Sequence, residues 1–194
     1  MKKASGFTLV ELMVSIGIFT VITSIAVFNH NQFNSSVLLT NLSYEIALSV
    51  RQAQFYGITV RQSTISSGSF DSGYGIHFDL GTSKTQYTLY EDRNPQNHIY
   101  VSSELLQNFT IQKGNTISKI ILTNKSGAVS TPNIVDISFI RPNPDTYITA
   151  SNVSSVTYNK AEICVTSPNS IHRRIIVGAT GQISVSTEGT EICN

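Results

Sequence analysis

Among the side chains able to do chemistry, one carboxylate stands apart by its surroundings. Glu11 is the only charged residue between positions 7 and 28, a 22-residue run of which 15 are hydrophobic. A carboxylate held in an apolar span costs a few kcal/mol and as a rule marks a function. Glu11 follows Phe7 by four residues, about 6 Å along a helix axis, so part of that cost is relieved near an interface. The remaining candidates do not converge. His30, His77, His98 and His172 have no second ligand at metal-binding spacing, which favours structural or surface roles. Serine is abundant, but no Gly-x-Ser-x-Gly elbow occurs. Gly73-Tyr74-Gly75 lacks the third glycine, the lysine and the following helix of a phosphate loop, and reads as a turn entering a strand. Glu91-Asp92 reads as a solvated strand end before a turn. These patterns lead us to expect no enzyme, cofactor, metal or small-molecule substrate.

The two cysteines, Cys164 and Cys193, lie 29 positions apart near the C-terminus and form no CxxC. In an exported body the pair reads as one disulfide pinning the C-terminal tail, with a loop-closure contribution of roughly 3–4 kcal/mol. In a reducing compartment the alternative is two unpaired thiols.

Composition separates two materials. With 13 Lys+Arg against 12 Asp+Glu, the formal net charge is +1, without the basic excess of a dedicated nucleic-acid binder. The run 7–28 is oily, whereas the rest is rich in Ser, Thr and Asn, which together number 61. With no second long apolar run, a polytopic membrane protein is excluded, as is a plain cytosolic globule.

As a helix, residues 7–28 rise about 33 Å, enough to cross a bilayer core. Lys2 and Lys3 before them place the N-terminus on the cytoplasmic side and the body outside. No proline precedes Pro95, and Leu38, Leu42, Ile46, Val50 and Ala53 continue at helical spacing. One helix is therefore expected from about Phe7 to about Phe55, bare in its first half and amphipathic in its second, with Tyr56-Gly57 as its stop. The period then changes to two. Strands are expected at 74–79, 86–91, 109–112, 118–123, 135–141, 161–166, 172–177 and 182–187, separated by Gly, Pro and Asn turns. The fold class is α+β, a long N-terminal helix packed on an antiparallel β-sheet head. The divisions are 1–6, 7–28, 29–57 and a head at 58–194.

A secretory signal peptide would have a shorter apolar core and a small-residue site after it, which Ser24-Ile25-Ala26 imitates. Glu11 within the core and the continuing helix argue against that reading, and Glu11 also argues against a plain anchor. The string GFTLVELMVSIGIF resembles the class III leader of type IV pilins and pseudopilins. The resemblance implies that residues 1–6 are a leader, cut between Gly6 and Phe7 by a prepilin peptidase that also N-methylates Phe7. It implies that Glu11 pairs with the methylated amine of a neighbouring subunit during filament assembly, since two groups too costly to bury singly are tolerable together. Loss of Lys2 and Lys3 would take the formal charge from +1 to −1.

The head resembles the GspH/FimT-like group of minor pseudopilins in outline. Arg173-Arg174-Ile175-Ile176-Val177, the turn into Gly181-Gln182-Ile183-Ser184-Val185, and the strand ending at Pro142 carry that likeness. DNA-binding members have Gly-Arg-x-Arg where this chain has Gly181-Gln182-Ile183-Ser184. Only Arg173 and Arg174 remain nearby, and neighbours on a strand face opposite ways, so nucleic-acid binding is disfavoured. The resemblance implies a minor subunit of a type IV-pilus-like or type II secretion filament. Its partners would be sibling pilins, the prepilin peptidase and the inner-membrane assembly platform. The alternatives are a DNA- or surface-binding subunit at a pilus tip, or the major subunit.

Overall fold

Nothing between positions 9 and 58 obliges a helix to stop, and the chain forms one continuous helix there. The computed structural model describes residues 6–63, 68, 70–93, 96–150, 157–187 and 190–193, with side chains at all of these except 28–33, 190 and 191. Helix α1 runs Leu9–Ile58, 50 residues or about 75 Å. Thr8 caps it, its hydroxyl accepting the Glu11 amide at 3.3 Å. The helix does not stop at Gly57, as the sequence suggested, but continues to Ile58. A Cβ at Gly57 would lie 2.4 Å from the Phe139 carbonyl oxygen, so the glycine sets how closely helix and sheet approach. It is a contact point rather than a terminator.

Among the described residues, ten strands follow in chain order: β1 Gly73–Asp79, β2 Gln86–Asp92, β3 Leu105–Thr110, β4 Thr116–Asn124 and β5 Val129–Ser130, then β6 Ile134–Phe139, β7 Thr146–Ala150, β8 Tyr158–Thr166, β9 His172–Gly178 and β10 Ile183–Ser186. They make two five-stranded antiparallel sheets, ordered β3-β2-β1-β6-β7 and β10-β9-β8-β4-β5. The expected α+β class is observed, with two sheets making up the antiparallel head. The strand expected at 109–112 lies instead at 105–110, because Lys113 and Gly114 take positive φ (60° and 74°) and turn the chain. The strand expected at 135–141 ends at Phe139, two residues before the cis Arg141–Pro142 bond. Neither β5 nor β7 was anticipated. β5 has two residues, and β7 follows the Pro142-Asn143-Pro144 turn.

The second half of α1 bridges both sheets. Leu39, Ile46, Val50 and Ala53 are fully buried at helical spacing. They meet Tyr74, Ile76, Phe78, Val135, Ile137 and Phe139 of the first sheet and Ile163, Ile175, Val177 and Ile183 of the second in one core. Alternation along β1 puts Tyr74, Ile76 and Phe78 inward and Gly75, His77 and Asp79 on the other face. Polar ties fix the helix in place. Arg51 donates to the Ile183 carbonyl at 3.0 Å, and Gln54 to the Gly181 carbonyl at 2.9 Å.

Candidate functional site

Along the first part of α1, Leu9–Val27, no side chain is buried against the head. This apolar window has a mean hydropathy of 2.1, and none of it is buried. Twelve Phe, Leu, Ile, Val and Met side chains stand exposed along it. At about 1.5–3 kcal/mol per buried side chain, tens of kcal/mol favour covering this segment with lipid or other apolar helices. Length and composition suit a membrane span. Its hydroxyls do not oppose burial, because each bonds back to the preceding turn. Ser15 donates to the Glu11 carbonyl at 2.7 Å, Thr23 to Phe19 at 2.7 Å, Ser24 to Thr20 at 2.8 Å, and Thr20 to Ile16.

Gly6 and Phe7 precede the helix in exposed, non-helical backbone, with Phe7 78% exposed. The bond between them is therefore open to a peptidase. Lys2 and Lys3 lie outside the described residues. Glu11 occupies the third position of the first turn, where the unpaired amides favour a carboxylate. That carboxylate is exposed and has no partner among the described residues. The sequence reading of Glu11, by burial cost and by pairing in a filament, did not include the Thr8 hydroxyl that caps its backbone amide.

The remaining sequence candidates lie in the head. Cys164 on β8 and Cys193 in the final helical turn, Thr190–Cys193, are joined at 2.00 Å, with Cα atoms 5.6 Å apart. With Ile121 they form a small buried cluster apart from the main core. Arg173 and Arg174 separate as strand geometry requires. Arg173 donates to Ser36 of α1 at 3.2 Å and to the His172 carbonyl at 2.9 Å. Arg174 lies 2.7 Å from buried Glu162, which also holds Lys160 at 2.9 Å. Both guanidiniums thus have internal partners, and they form no shared cationic patch.

Glu91 and Asp92 do not form a solvated strand end, because both are fully buried. Residues 96–104 lie over the outer face of the first sheet, where the Tyr100 ring packs on His77 and Tyr90. Asp92 accepts the Asn97 and His98 amides at 3.2 and 3.1 Å. Glu104 accepts the Arg93 and Val101 amides at 3.1 and 3.2 Å. His77 meets buried Asp136 at 2.7 Å under the Tyr100 ring. Burial pushes the Asp92 carboxyl up to about 6, against the pull of its two amide donors. Burial likewise raises Asp136 and lowers His98. The overlying segment was not legible, because its acceptors looked like ordinary surface acids.

Ser138, His98 and Asp92 come together, but they are not a nucleophilic triad. Ser138 Oγ at 3.2 Å and Asp92 Oδ2 at 3.5 Å both face the same ring nitrogen, Nδ1. A triad needs opposite nitrogens for base and orienter, and an exposed nucleophile, whereas Ser138 is fully buried. No cluster of three His, Cys, Asp or Glu able to hold a metal occurs among the described residues.

A bare apolar shaft with one carboxylate in its first turn, continuous with a β-rich head, defines a shaft-and-head subunit whose shaft requires lipid or other helices around it. Residues 1–27 match the prokaryotic N-terminal methylation motif. That motif is the prepilin leader found on type IV pilin-like proteins, a family of structural subunits. That motif implies processing by prepilin peptidase and assembly with other pilins, and it is consistent with a membrane anchor. No curated protein and no solved structure matches the chain.

Proposed function

We propose that this chain is a minor pilin or pseudopilin, cut between Gly6 and Phe7 and N-methylated at Phe7. It is inserted with its N-terminus in the cytoplasm and its head outside, and then built into a type IV-pilus-like or type II secretion filament. The observation that carries this reading is the shaft, a 19-residue apolar segment wholly uncovered in the single chain yet part of the same helix that packs into the head. A segment that must be buried, but not by its own chain, suits a subunit that moves from lipid to a helical bundle. Glu11 then has two successive roles. In the single chain it sits at the helix N-terminus, and in the filament it pairs with the methylated amine of a neighbour. The Glu11–amine pair favours correct axial register because any other register leaves one charge unpaired in a low-dielectric core.

The GspH/FimT-like assignment rests on β9, the Gly181 turn and β10. A Cβ at Gly181 would meet the Pro144 carbonyl oxygen at 2.3 Å, and φ is +80°, so that turn requires glycine. The internal partners of Arg173 and Arg174 weigh against a nucleic-acid role. The test of assembly is Glu11→Ala in cells. Leader removal proceeds normally, while recovery of the chain in sheared or affinity-purified filaments falls at least tenfold. Normal recovery of the variant would refute the pairing role.

A further inference from the structure

We propose that the cleft between β7 and the start of β8 binds a neutral saccharide, one pyranose ring lying on the open face of Tyr147. The cleft encloses about 330 Å³, within the range of small-molecule sites, and Tyr147, Tyr158, Asp145, Lys125 and Thr180 line it with His98. The platform is built from beneath. Asp92, fully buried, holds the amides of Asn97 and His98. His98 takes a left-handed backbone, φ +61°, which a residue with a Cβ adopts only at a cost. That conformation places its carbonyl to accept the Thr149 hydroxyl at 2.9 Å and its ring 3.2 Å from Ser138. The imidazole then lies parallel to Tyr147, with centroids 4.0 Å apart and planes 5° apart.

One face of Tyr147 is thus covered, yet the residue remains 44% exposed, so its exposure lies on the other face and rim. A large aromatic surface fixed in one orientation before a ligand arrives lowers the ordering cost of binding. A ring face of negative potential suits the C–H face of a pyranose, whose hydrogens carry partial positive charge. Asp145 and Lys125 are exposed and have no partner among the described residues, leaving an acceptor and a donor set for sugar hydroxyls. Their charges cancel, so the rim offers no net attraction to a phosphate chain and favours a neutral ligand.

Saturation-transfer NMR on the mature full-length chain tests this, in a detergent without a sugar headgroup, with N,N′-diacetylchitobiose, cellobiose and maltose each at about 10 mM. The expected result is transfer to the ring protons of at least one disaccharide. It is lost in Tyr147→Ala, retained within about threefold in Tyr147→Phe, and weakened about fivefold in Asp145→Asn. An unchanged melting temperature of Tyr147→Ala excludes unfolding as the cause. Absence of transfer from all three sugars, transfer unaffected by Tyr147→Ala, or loss in Tyr147→Phe overturns the proposal. Filament recovery of Tyr147→Ala stays normal, which separates this site from assembly.

Discussion

Reducing the Cys164–Cys193 bridge should cost this head a substantial part of its stability. The bridge closes a loop of 29 residues, and the chain-entropy relation assigns such a loop about 3–4 kcal/mol. A second contribution adds to this. Cys164, Cys193 and Ile121 bury one another, so release of the tail also uncovers apolar surface on the outer face of β4 and β8. For a chain of this size, each kcal/mol shifts the melting temperature by about 2–4 °C, giving a fall of about 10 °C. Thermal melting of the detergent-solubilised mature chain, followed by circular dichroism with and without reductant, reads this directly. Thiol labelling of the denatured chain gives the starting state, with no free thiol before reduction and both cysteines labelled after it. The Cys164→Ala/Cys193→Ala variant melts at the reduced wild-type temperature and is insensitive to reductant. Coincident melting curves for oxidised and fully reduced wild type would refute the stapling argument. Two free thiols in the untreated protein would refute the bridge itself.

Two further perturbations test the packing and the buried charge. Gly57→Ala would ordinarily favour a helix by up to about 1 kcal/mol. Here the added methyl is driven against the Phe139 backbone, and chemical denaturation should show a net loss of about 2–3 kcal/mol, whereas a gain would contradict the close approach. Asp92 is raised to about 6 from its ordinary 3.8, so the folded head binds this proton more tightly than the unfolded chain does. Its stabilising contribution is full below about 4 and is lost as pH rises through about 6, while His98, lowered by burial, opposes it. Asp92 by itself should therefore contribute a rise of about 1 kcal/mol between pH 7.5 and 5, which the difference between the wild-type and Asp92→Asn profiles isolates, while identical profiles would count against the assignment.

The shaft was readable because its signals are local and redundant: Gly6-Phe7, Glu11, an uninterrupted apolar run and no proline before Pro95. Strands with two-residue alternation and flanking turns were equally legible, β1 and β2 among them. What escaped depends on contacts far apart in sequence. Gly57 looked like a helix stop because its reason, the Phe139 carbonyl, lies 82 positions away. Asp92 looked solvated because its donors, the amides of Asn97 and His98, carry no side-chain signature. Arg173 and Arg174 looked available because Ser36 and Glu162 lie on other elements. The Thr8 cap was local and readable, since Thr8 stands three residues before Glu11, but the apolar run around Glu11 drew attention to burial instead.

The mass and N-terminal residue of the mature chain, extracted from membranes of cells that possess prepilin peptidase, test the central claim most directly. The account predicts a chain of 188 residues beginning at Phe7 and heavier by one methyl group on its terminal amine. A chain that begins at Met1, or one that begins after Ala26, would contradict it.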